Sequence, residues 1–217
     1  MPGYSVETVT HRIGVNEYRI RALIDRRQFW DPDGCAEQAG ISSASWPLFG
    51  VVWPSGIALA QEMNELAVDG MSILEIGCGI GLSSLVLQRR GANITASDYH
   101  PLAEEFLRHN AALNGLPPVK FWNAPWALPN PDLGRFDFII GSDVLYERDH
   151  PALLAAFLAC HANTIARVLM TDPGRRYCGQ FHTKMAAQGY TRTERRLHFA
   201  GSDSFYPSGR IMNFSRL

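Results

Sequence analysis

The chain has 217 residues, of which 46% are hydrophobic and 19% are charged, and its formal net charge at pH 7 is −1. This length and composition are typical of a single globular domain with a substantial core. The nearly balanced charge provides no overall field that would attract nucleic acid or an anionic membrane, so we expect neither as a partner.

Three features of the sequence predict the cellular location of the protein. The N-terminal segment lacks the basic and apolar regions of a signal peptide, and the longest apolar run, residues 153–160, is too short to cross a bilayer. The four cysteines include no Cys-x-x-Cys pair and are too few for a disulfide scaffold. We therefore expect a soluble, cytoplasmic protein with reduced and mostly buried thiols.

The first 70 residues predict an irregular segment that ends in a helix. Tyr18, Ile20 and Ala22 alternate with polar residues, which indicates a short strand or hairpin. Residues 31–40 predict a loop, and residues 56–66 a helix. No linker composition follows them. We therefore interpret residues 1–70 as an N-terminal extension of the same domain as a core spanning residues 71–217.

From residue 71 onward, short β-rich runs alternate with helical patterns. Strands are predicted at residues 72–76, 93–97, 119–122, 136–141 and 167–171, with helices at residues 81–90, 101–113, 151–162 and 177–188. The last two strand-like segments, 190–199 and 210–216, have no helix between them and predict an antiparallel hairpin at one sheet edge. The fold class is α/β: a Rossmann-like, doubly wound, mostly parallel seven-stranded sheet.

The segment EIGCGIG lies where the first strand of the core turns into a helix. Glycine at such a turn permits positive φ and a close approach of the backbone to a ligand. Gly77, Gly79 and Gly81 do not have the G-x-G-x-x-G spacing of a dinucleotide site, and Leu82 stands where a Walker loop needs lysine. The pattern therefore favours a ligand without a pyrophosphate.

Two carboxylates narrow the choice of that ligand. Glu75 lies two residues before Gly77, where its charge would repel a pyrophosphate and favour a cation. Asp98 ends the second core strand, where a carboxylate can accept hydrogen bonds from both hydroxyls of a ribose. A ligand with a ribose, a positive charge and no phosphate is S-adenosylmethionine, which we predict as the cofactor.

The adenine of this cofactor needs a flat apolar slot with a polar contact at its edge. The segment FWNAPW follows the third strand, and it offers Trp122, Asn123 and Trp126 for this purpose. We assign Trp126 to the cofactor site, together with Tyr99 and Ser142, which adjoin Asp98 and the fourth strand.

Four segments, VVWPSGIALA, LEIGCGIGLSS, SDYHP and SDVLYERD, resemble those of the seven-strand class I protein-lysine methyltransferases, and this resemblance extends over nearly the whole chain. It implies an enzyme that transfers a methyl group from S-adenosylmethionine to a lysine of a partner protein. It implies that Trp53 covers the cofactor. It also implies that Asp143 and Tyr146, of the Asp-x-x-Tyr motif, lie at the mouth of the methyl-transfer site, where we expect Asp143 to orient the amine and Tyr146 to form one wall.

The segment MTDPGRRY resembles the Asp-Pro-Gly-Arg segment of the lysine methyltransferases of the electron-transfer flavoprotein β-subunit. This partial resemblance implies that Asp172 and Arg175 contact the substrate. The N-terminal and second-strand segments differ from those of that subfamily, so the acceptor stays open.

Other activities are less compatible with the sequence. Leu85 stands where a hydrolase nucleophile elbow needs glycine, and no His-Glu-x-x-His or other metal-ligand spacing occurs, so no metal is expected. His100 and His150 each precede a proline and are interpreted as helix-entry residues. A small-molecule methyltransferase is the alternative on the same chemistry, and an NAD-dependent oxidoreductase is the alternative on the same fold.

Overall fold

The computed structural model of the protein describes residues 3–128, 130–199 and 208–216. The strands within this part of the chain are β1 (Val6–Ile13), β2 (Asn16–Leu23), β3 (Ser72–Ile76), β4 (Asn93–Asp98), β5 (Lys120–Asn123), β6 (Phe136–Ser142), β7 (Ala162–Asp172), β8 (Thr191–His198) and β9 (Ser208–Arg216). The helices are α1 (Cys35–Gln38), α2 (Pro54–Glu65), α3 (Leu82–Arg89), α4 (Ala103–Leu113), α5 (His150–His161) and α6 (Cys178–Ala187), with 3₁₀ turns at Trp46–Gly50 and Pro131–Leu133.

Seven strands form the central sheet in the order β5-β4-β3-β6-β7-β9-β8. The first five of these run parallel, whereas β9 pairs antiparallel with β7 and β8 pairs antiparallel with β9. The α/β fold and the antiparallel C-terminal hairpin predicted from the sequence are confirmed. Residues 200–207, in the connection between the last two strands, lie outside the described part of the chain.

The helices cover both faces of this sheet, which explains why its central strands are almost entirely apolar. Successive residues of β3 point to opposite faces, so that Ile73 belongs to one buried cluster and Leu74 to the other. The first cluster includes side chains of α2, α3 and α4, and the second includes side chains of α5 and α6. Both clusters hold the parallel strands rigidly, which fixes the loops at their carboxyl ends.

The N-terminal residues form a separate antiparallel hairpin of β1 and β2. As the alternation predicted, Tyr18, Ile20 and Ala22 share one buried face. The hairpin joins the first of the two core clusters, and its contact with α4 is specific.

Two asparagines one helical turn apart, Asn110 of α4 and Asn114 at its C-cap, bind the backbone of β2. The amide hydrogens of Arg21 and Arg19 are donated to Asn110 Oδ1 at 2.7 Å and to Asn114 Oδ1 at 2.9 Å, respectively. Asn114 Nδ2 in turn donates to the carbonyl of Arg19 at 2.8 Å. Because these side chains satisfy the open edge of a strand, they hold the hairpin against the core.

The division of the chain at residue 70, into an N-terminal extension and a core, stays a prediction.

Two smaller expectations need correction. Residues 31–40, predicted as a loop, contain the single turn of α1, because the carboxylate of Asp31 accepts hydrogen bonds from the amides of Ala36 and Glu37, both at 2.9 Å. The cysteines are not mostly buried, since Cys35 and Cys160 are exposed. Among the described residues, no helix is both long and apolar enough to cross a membrane.

Candidate functional site

A cavity of about 500 Å³ opens at the carboxyl ends of β3, β4 and β6. The strand order reverses at β3, because the chain proceeds from β3 to β4 on one side and continues with β6 on the other. Open α/β sheets bind ligands at this switch point, where the loops of neighbouring strands diverge. The cavity is therefore at the expected place for a cofactor.

The glycine loop forms the floor of this cavity, and all three of its glycines have positive φ, from 53° to 81°. A Cβ at Gly79 would lie 2.6 Å from the carbonyl oxygen of Phe49, and a Cβ at Gly81 would lie 2.2 Å from Leu107 Cδ1. Both distances are shorter than a van der Waals contact, so larger residues would displace neighbours. Close packing is therefore a second reason, besides the positive φ, why Gly79 and Gly81 are glycines.

The carboxylate of Asp98 connects the end of β4 to this loop. Its Oδ2 accepts a hydrogen bond from the amide of Gly79 at 2.8 Å, and its Oδ1 accepts one from the amide of His100 at 2.9 Å. Burial raises the pKa of Asp98, and the backbone donors counteract this effect. A carboxylate has about four acceptor positions, so Asp98 retains capacity for further donors.

Glu75 also lines the cavity, although its side chain lies almost completely below the surface. It accepts a hydrogen bond from the hydroxyl of Ser84, in the first turns of α3. Burial is the main cause that raises the pKa of Glu75 to about 7, so the group is partly protonated at neutral pH. A cation in the cavity would favour its ionised form.

Aromatic side chains form the walls. Trp53 donates its indole hydrogen to the carbonyl of Leu48 at 3.0 Å, which fixes the ring at the N-terminus of α2. Of the three candidates for the adenine slot, Trp126 lines the cavity, whereas Trp122 and Asn123 do not. Trp126 packs edge-on against His150, with ring centroids 5.2 Å apart, and both Trp122 and Trp126 pack against the second core cluster.

His100 lies beside the cavity in the role expected of a helix-entry residue. Its Nδ1 accepts a hydrogen bond from the amide of Leu102 at 3.2 Å, directly before α4. The ring stacks on Phe49, with centroids 3.7 Å apart and planes 14° apart. Burial lowers the pKa of His100 to about 3, so the ring is neutral.

Asp143, directly after β6, has an unusual backbone and a bound side chain. Its φ is 52°, and it is the only residue other than glycine with positive φ in the described part of the chain. Its amide donates to the carbonyl of Thr171 at 2.8 Å. Arg175 donates to both carboxylate oxygens, from Nε to Oδ1 at 2.8 Å and from Nη2 to Oδ2 at 3.0 Å. Burial raises the pKa of Asp143, and Arg175 opposes the shift.

Tyr146 also lines the cavity, and its ring meets His150 edge-on with centroids 4.6 Å apart. Burial strongly raises the pKa of its phenol, so the hydroxyl stays protonated throughout the physiological range. Asp143 and Tyr146 therefore present an anion and a neutral hydroxyl to the cavity.

Asp172, which the sequence assigned to substrate contact, lies apart from the other predicted site residues. Its side chain is buried and does not line the cavity. Its Oδ1 accepts hydrogen bonds from the amides of Gly174 and Arg175, both at 2.6 Å. Asp172 therefore builds the turn that carries Arg175 to Asp143, and it acts through that turn.

The structure brings all other predicted site residues to the cavity wall: Trp53, Glu75, Gly77, Gly79, Gly81, Asp98, Tyr99, Trp126, Ser142, Asp143, Tyr146 and Arg175. Sequence reasoning missed the contribution of Arg26 and Phe49 to the same wall. Phe49 adjoins the Trp-Pro segment, which was a usable signal. Arg26 follows β2 by three residues and carries no motif, so only tertiary packing reveals it.

A family model described as lysine methyltransferase matches residues 43–186. The chain belongs to this family. The resemblance predicted from the Trp-Pro, glycine-loop and Asp-x-x-Tyr segments is thereby confirmed. The matched range starts at residue 43, within the predicted N-terminal extension.

Two curated relatives give the degree of similarity. The electron transfer flavoprotein beta subunit lysine methyltransferase of Rattus norvegicus is 34% identical over 163 residues, which are 73% of this chain and 61% of the rat protein. The protein N-lysine methyltransferase METTL21A of Xenopus tropicalis is 30% identical over 173 residues, covering 76% of this chain and 75% of the relative. The chain thus matches only about three fifths of the length of the flavoprotein-directed relative.

Solved structures agree on the fold. SMU.776, a putative methyltransferase complexed with SAH, aligns with 96% of this chain and 56% of its own at a TM-score of 0.65 and 11% identity. Magnesium protoporphyrin IX methyltransferase from Synechocystis PCC 6803, with bound SAM, aligns with 75% of this chain and 78% of its own at a TM-score of 0.57 and 17% identity. Identities this low support the fold alone.

Proposed function

We propose that this protein is an S-adenosylmethionine-dependent methyltransferase that methylates the side-chain nitrogen of a lysine in a partner protein. One observation carries the proposal: in a chain of the lysine methyltransferase family, a single cavity joins Asp98 and the glycine loop to Asp143 and Tyr146. A donor site and an acceptor site that share one cavity are what a direct group transfer requires.

The lining of the cavity fits the proposed cofactor. Asp98 has free acceptor capacity for the ribose hydroxyls, and Trp126 offers a flat surface for adenine. Glu75, Asp98 and Asp143 place three carboxyl groups around the cavity, which suits a cation and disfavours a pyrophosphate. Trp53, Tyr99 and Ser142 complete the part of the wall that we assign to this ligand.

The acceptor site has to supply a neutral amine in the correct position. S-adenosylmethionine, when bound, supplies a methyl group on a positively charged sulfur, which needs little further activation. A free lysine has a pKa near 10.4 and arrives protonated, so burial beside the rings of Tyr146 and Trp53 must lower that pKa. Asp143 then accepts a hydrogen bond from the amine and orients it.

The ion pair with Arg175 refines this role of Asp143. A carboxylate with no partner in the cavity would bind an ammonium ion tightly and keep it protonated. The guanidinium of Arg175 already compensates that charge, so Asp143 attracts the ammonium less strongly. The pair therefore favours orientation of a neutral amine over retention of a cation.

A protein acceptor is supported by the family and by the names of the two relatives, both of which are protein-lysine methyltransferases. A small molecule is the alternative acceptor, because the cavity alone does not distinguish the two. Membership of the lysine methyltransferase family argues against the NAD-dependent oxidoreductase considered from the sequence.

The decisive experiment uses purified protein, S-adenosylmethionine labelled in the methyl group, and extract of the host cell. We expect label in a protein band and methyl-lysine in its acid hydrolysate, with the Asp143→Asn variant as the inactive control. Label in the small-molecule fraction would establish the alternative acceptor. No transfer of label by the wild type, with no binding of S-adenosylmethionine in calorimetry, would refute the proposed function.

The cytoplasmic location and the absence of nucleic-acid and membrane partners stay predictions of the sequence. Fractionation of cells that express a tagged chain tests the location directly. A nucleic-acid filter-binding assay and vesicle co-sedimentation test the two excluded partners.

A further inference from the structure

The cavity contains two arginines, and their environments differ. Arg175 is bound to both oxygens of Asp143. Arg26 also lines the cavity, yet among the described residues no carboxylate lies within ion-pair distance of its guanidinium. Its guanidinium carbon lies 5.6 Å from the centroid of the Trp53 ring instead. Arg26 is thus a cation placed on an aromatic wall with its hydrogen-bond donors available.

The position of Trp53 shows where Arg26 lies in the cavity. Trp53 directly precedes α2, and the N-terminus of α2 lies against the end of β6, since a Cβ at Gly56 would lie 3.5 Å from Ser142 Oγ. Asp98 ends β4, on the other side of β3. Arg26 therefore lies beside Trp53, close to the N-terminus of α2, which adjoins the end of β6.

The covalent structure of the cofactor connects the proposed ribose site at Asp98 with the proposed acceptor site at Asp143. Its sulfur carries the ribose carbon, the methyl group and the aminobutyrate chain. If the ribose lies at Asp98 and the methyl group faces Asp143, the aminobutyrate chain starts near the acceptor site. Its terminal carboxylate needs a cationic or hydrogen-bonding partner, because the acids that line the cavity in the described part of the chain, Glu75, Asp98 and Asp143, carry charge of the same sign.

We propose that Arg26 binds the α-carboxylate of S-adenosylmethionine and thereby selects a cofactor with an intact amino-acid group. This inference rests on the proposed function. A guanidinium matches a carboxylate with two parallel N–H donors, and stacking on Trp53 holds its plane in a preferred orientation. Because Arg26 comes from the loop after β2, the N-terminal hairpin becomes part of the cofactor site.

The test compares two ligands that differ in the carboxylate alone: S-adenosylmethionine and decarboxylated S-adenosylmethionine. By calorimetry we expect Arg26→Ala to bind S-adenosylmethionine about tenfold more weakly and the decarboxylated ligand within about twofold of the wild type. Arg26→Lys keeps a charge without the planar pair of donors, and its affinity should lie between those of the wild type and Arg26→Ala. Added salt should reduce the difference in affinity for S-adenosylmethionine between the wild type and Arg26→Ala, because it screens the attraction between the charges.

Arg27 offers a matched control in the next position. Its guanidinium is paired with Asp25 at 2.8 Å, its side chain is 88% exposed, and it does not line the cavity. Arg27→Ala should leave the affinity for both ligands unchanged. Thermal melting of each variant, together with Arg26→Gln, which keeps most of the side chain, separates a loss of binding from a loss of folding.

The outcomes are distinct. A selective loss of affinity for the carboxylate-bearing ligand supports the proposal. Equal losses for both ligands would assign Arg26 to the support of Trp53 and overturn it, and unchanged affinities would overturn it as well. Failure of the wild type to bind either ligand would instead refute the proposed function.

Discussion

The two ends of the cavity are built in different ways. At the β4 end, the carboxylate of Asp98 is held by backbone amides of the glycine loop and of the following turn. At the β6 end, the carboxylate of Asp143 is held by a side chain from another loop, 32 residues away in sequence. The first arrangement is fixed by local backbone geometry, whereas the second depends on the meeting of two loops.

This difference has a physical consequence. Backbone amides are neutral donors that stay in place as long as the fold persists, so the β4 end keeps the same geometry each time a cofactor exchanges. A side-chain ion pair can rearrange when a substrate arrives, at the cost of desolvated charge. The β6 end is therefore suited to a transient guest such as the acceptor amine.

The largest expected effect concerns the β6 end. Asp143→Ala should reduce turnover by at least about 100-fold, because the amine loses the group that orients it, while the dissociation constant of S-adenosylmethionine changes by no more than a few-fold. Methyl transfer to the acceptor protein and calorimetry measure the two quantities.

Asp143 has a φ of 52°, where alanine is strained. The effect of this strain has to be distinguished from the effect of losing the carboxylate. Asn tolerates positive φ nearly as well as Asp, so Asp143→Asn removes the charge without adding strain. A turnover of Asp143→Asn close to that of the wild type would exclude a role for the carboxylate charge in transfer.

The next effect concerns the β4 end. Asp98→Ala should weaken the binding of S-adenosylmethionine by about 100-fold, because two charge-assisted hydrogen bonds to the ribose are lost. The amide of Gly79 also loses its acceptor, so a melting curve of the apoprotein must accompany the titration. Wild-type affinity in a folded Asp98→Ala variant would contradict the assignment of the ribose site.

A smaller effect is expected when Arg175 is replaced. Arg175→Ala leaves the buried carboxylate of Asp143 without this partner, which raises its pKa further and favours its neutral form. We expect turnover to fall about tenfold relative to the wild type at neutral pH, and we expect this ratio to recover in part as the pH rises, because deprotonation restores the anion. The adjacent Arg176→Ala, whose guanidinium lies over the ring of Tyr177, is the control. A loss of turnover that does not depend on pH would argue against the charge role.

A separate prediction concerns the stability of the apoprotein and the protonation of Glu75, and it involves no ligand. The pKa of Glu75 is raised from 4.5 to about 7, so the folded state holds a proton that the unfolded state releases between these values. The stability that this group contributes is therefore complete below about pH 4.5 and is lost as pH rises through about 7, by on the order of 3 kcal/mol.

Glu75→Gln removes this titration. Urea denaturation at several pH values should show the stability of Glu75→Gln increasing relative to the wild type across that interval. Glu65→Gln, at an exposed position of α2, should follow the pH dependence of the wild type. Parallel pH profiles of the wild type and Glu75→Gln would contradict the raised pKa.

The sequence by itself determined the alternation of strands and helices, the antiparallel C-terminal hairpin and twelve of the residues that line the cavity. These features follow from local patterns: apolar runs mark the strands covered on both faces, and the glycines and Asp98 lie at fixed offsets from strand ends. Parallel strands bring their carboxyl ends to one edge, so residues that follow different strands can be assigned to one site without coordinates.

Only the tertiary structure decided which members of each motif face the cavity. Asp172 and Arg175 belong to one segment, but Asp172 folds back onto its own turn while Arg175 reaches Asp143. Arg26 reaches the cavity because the hairpin docks on α4, through Asn110 and Asn114. Such placements depend on contacts between residues far apart in the chain, and the periodicity and spacing of a sequence do not encode which of these contacts form.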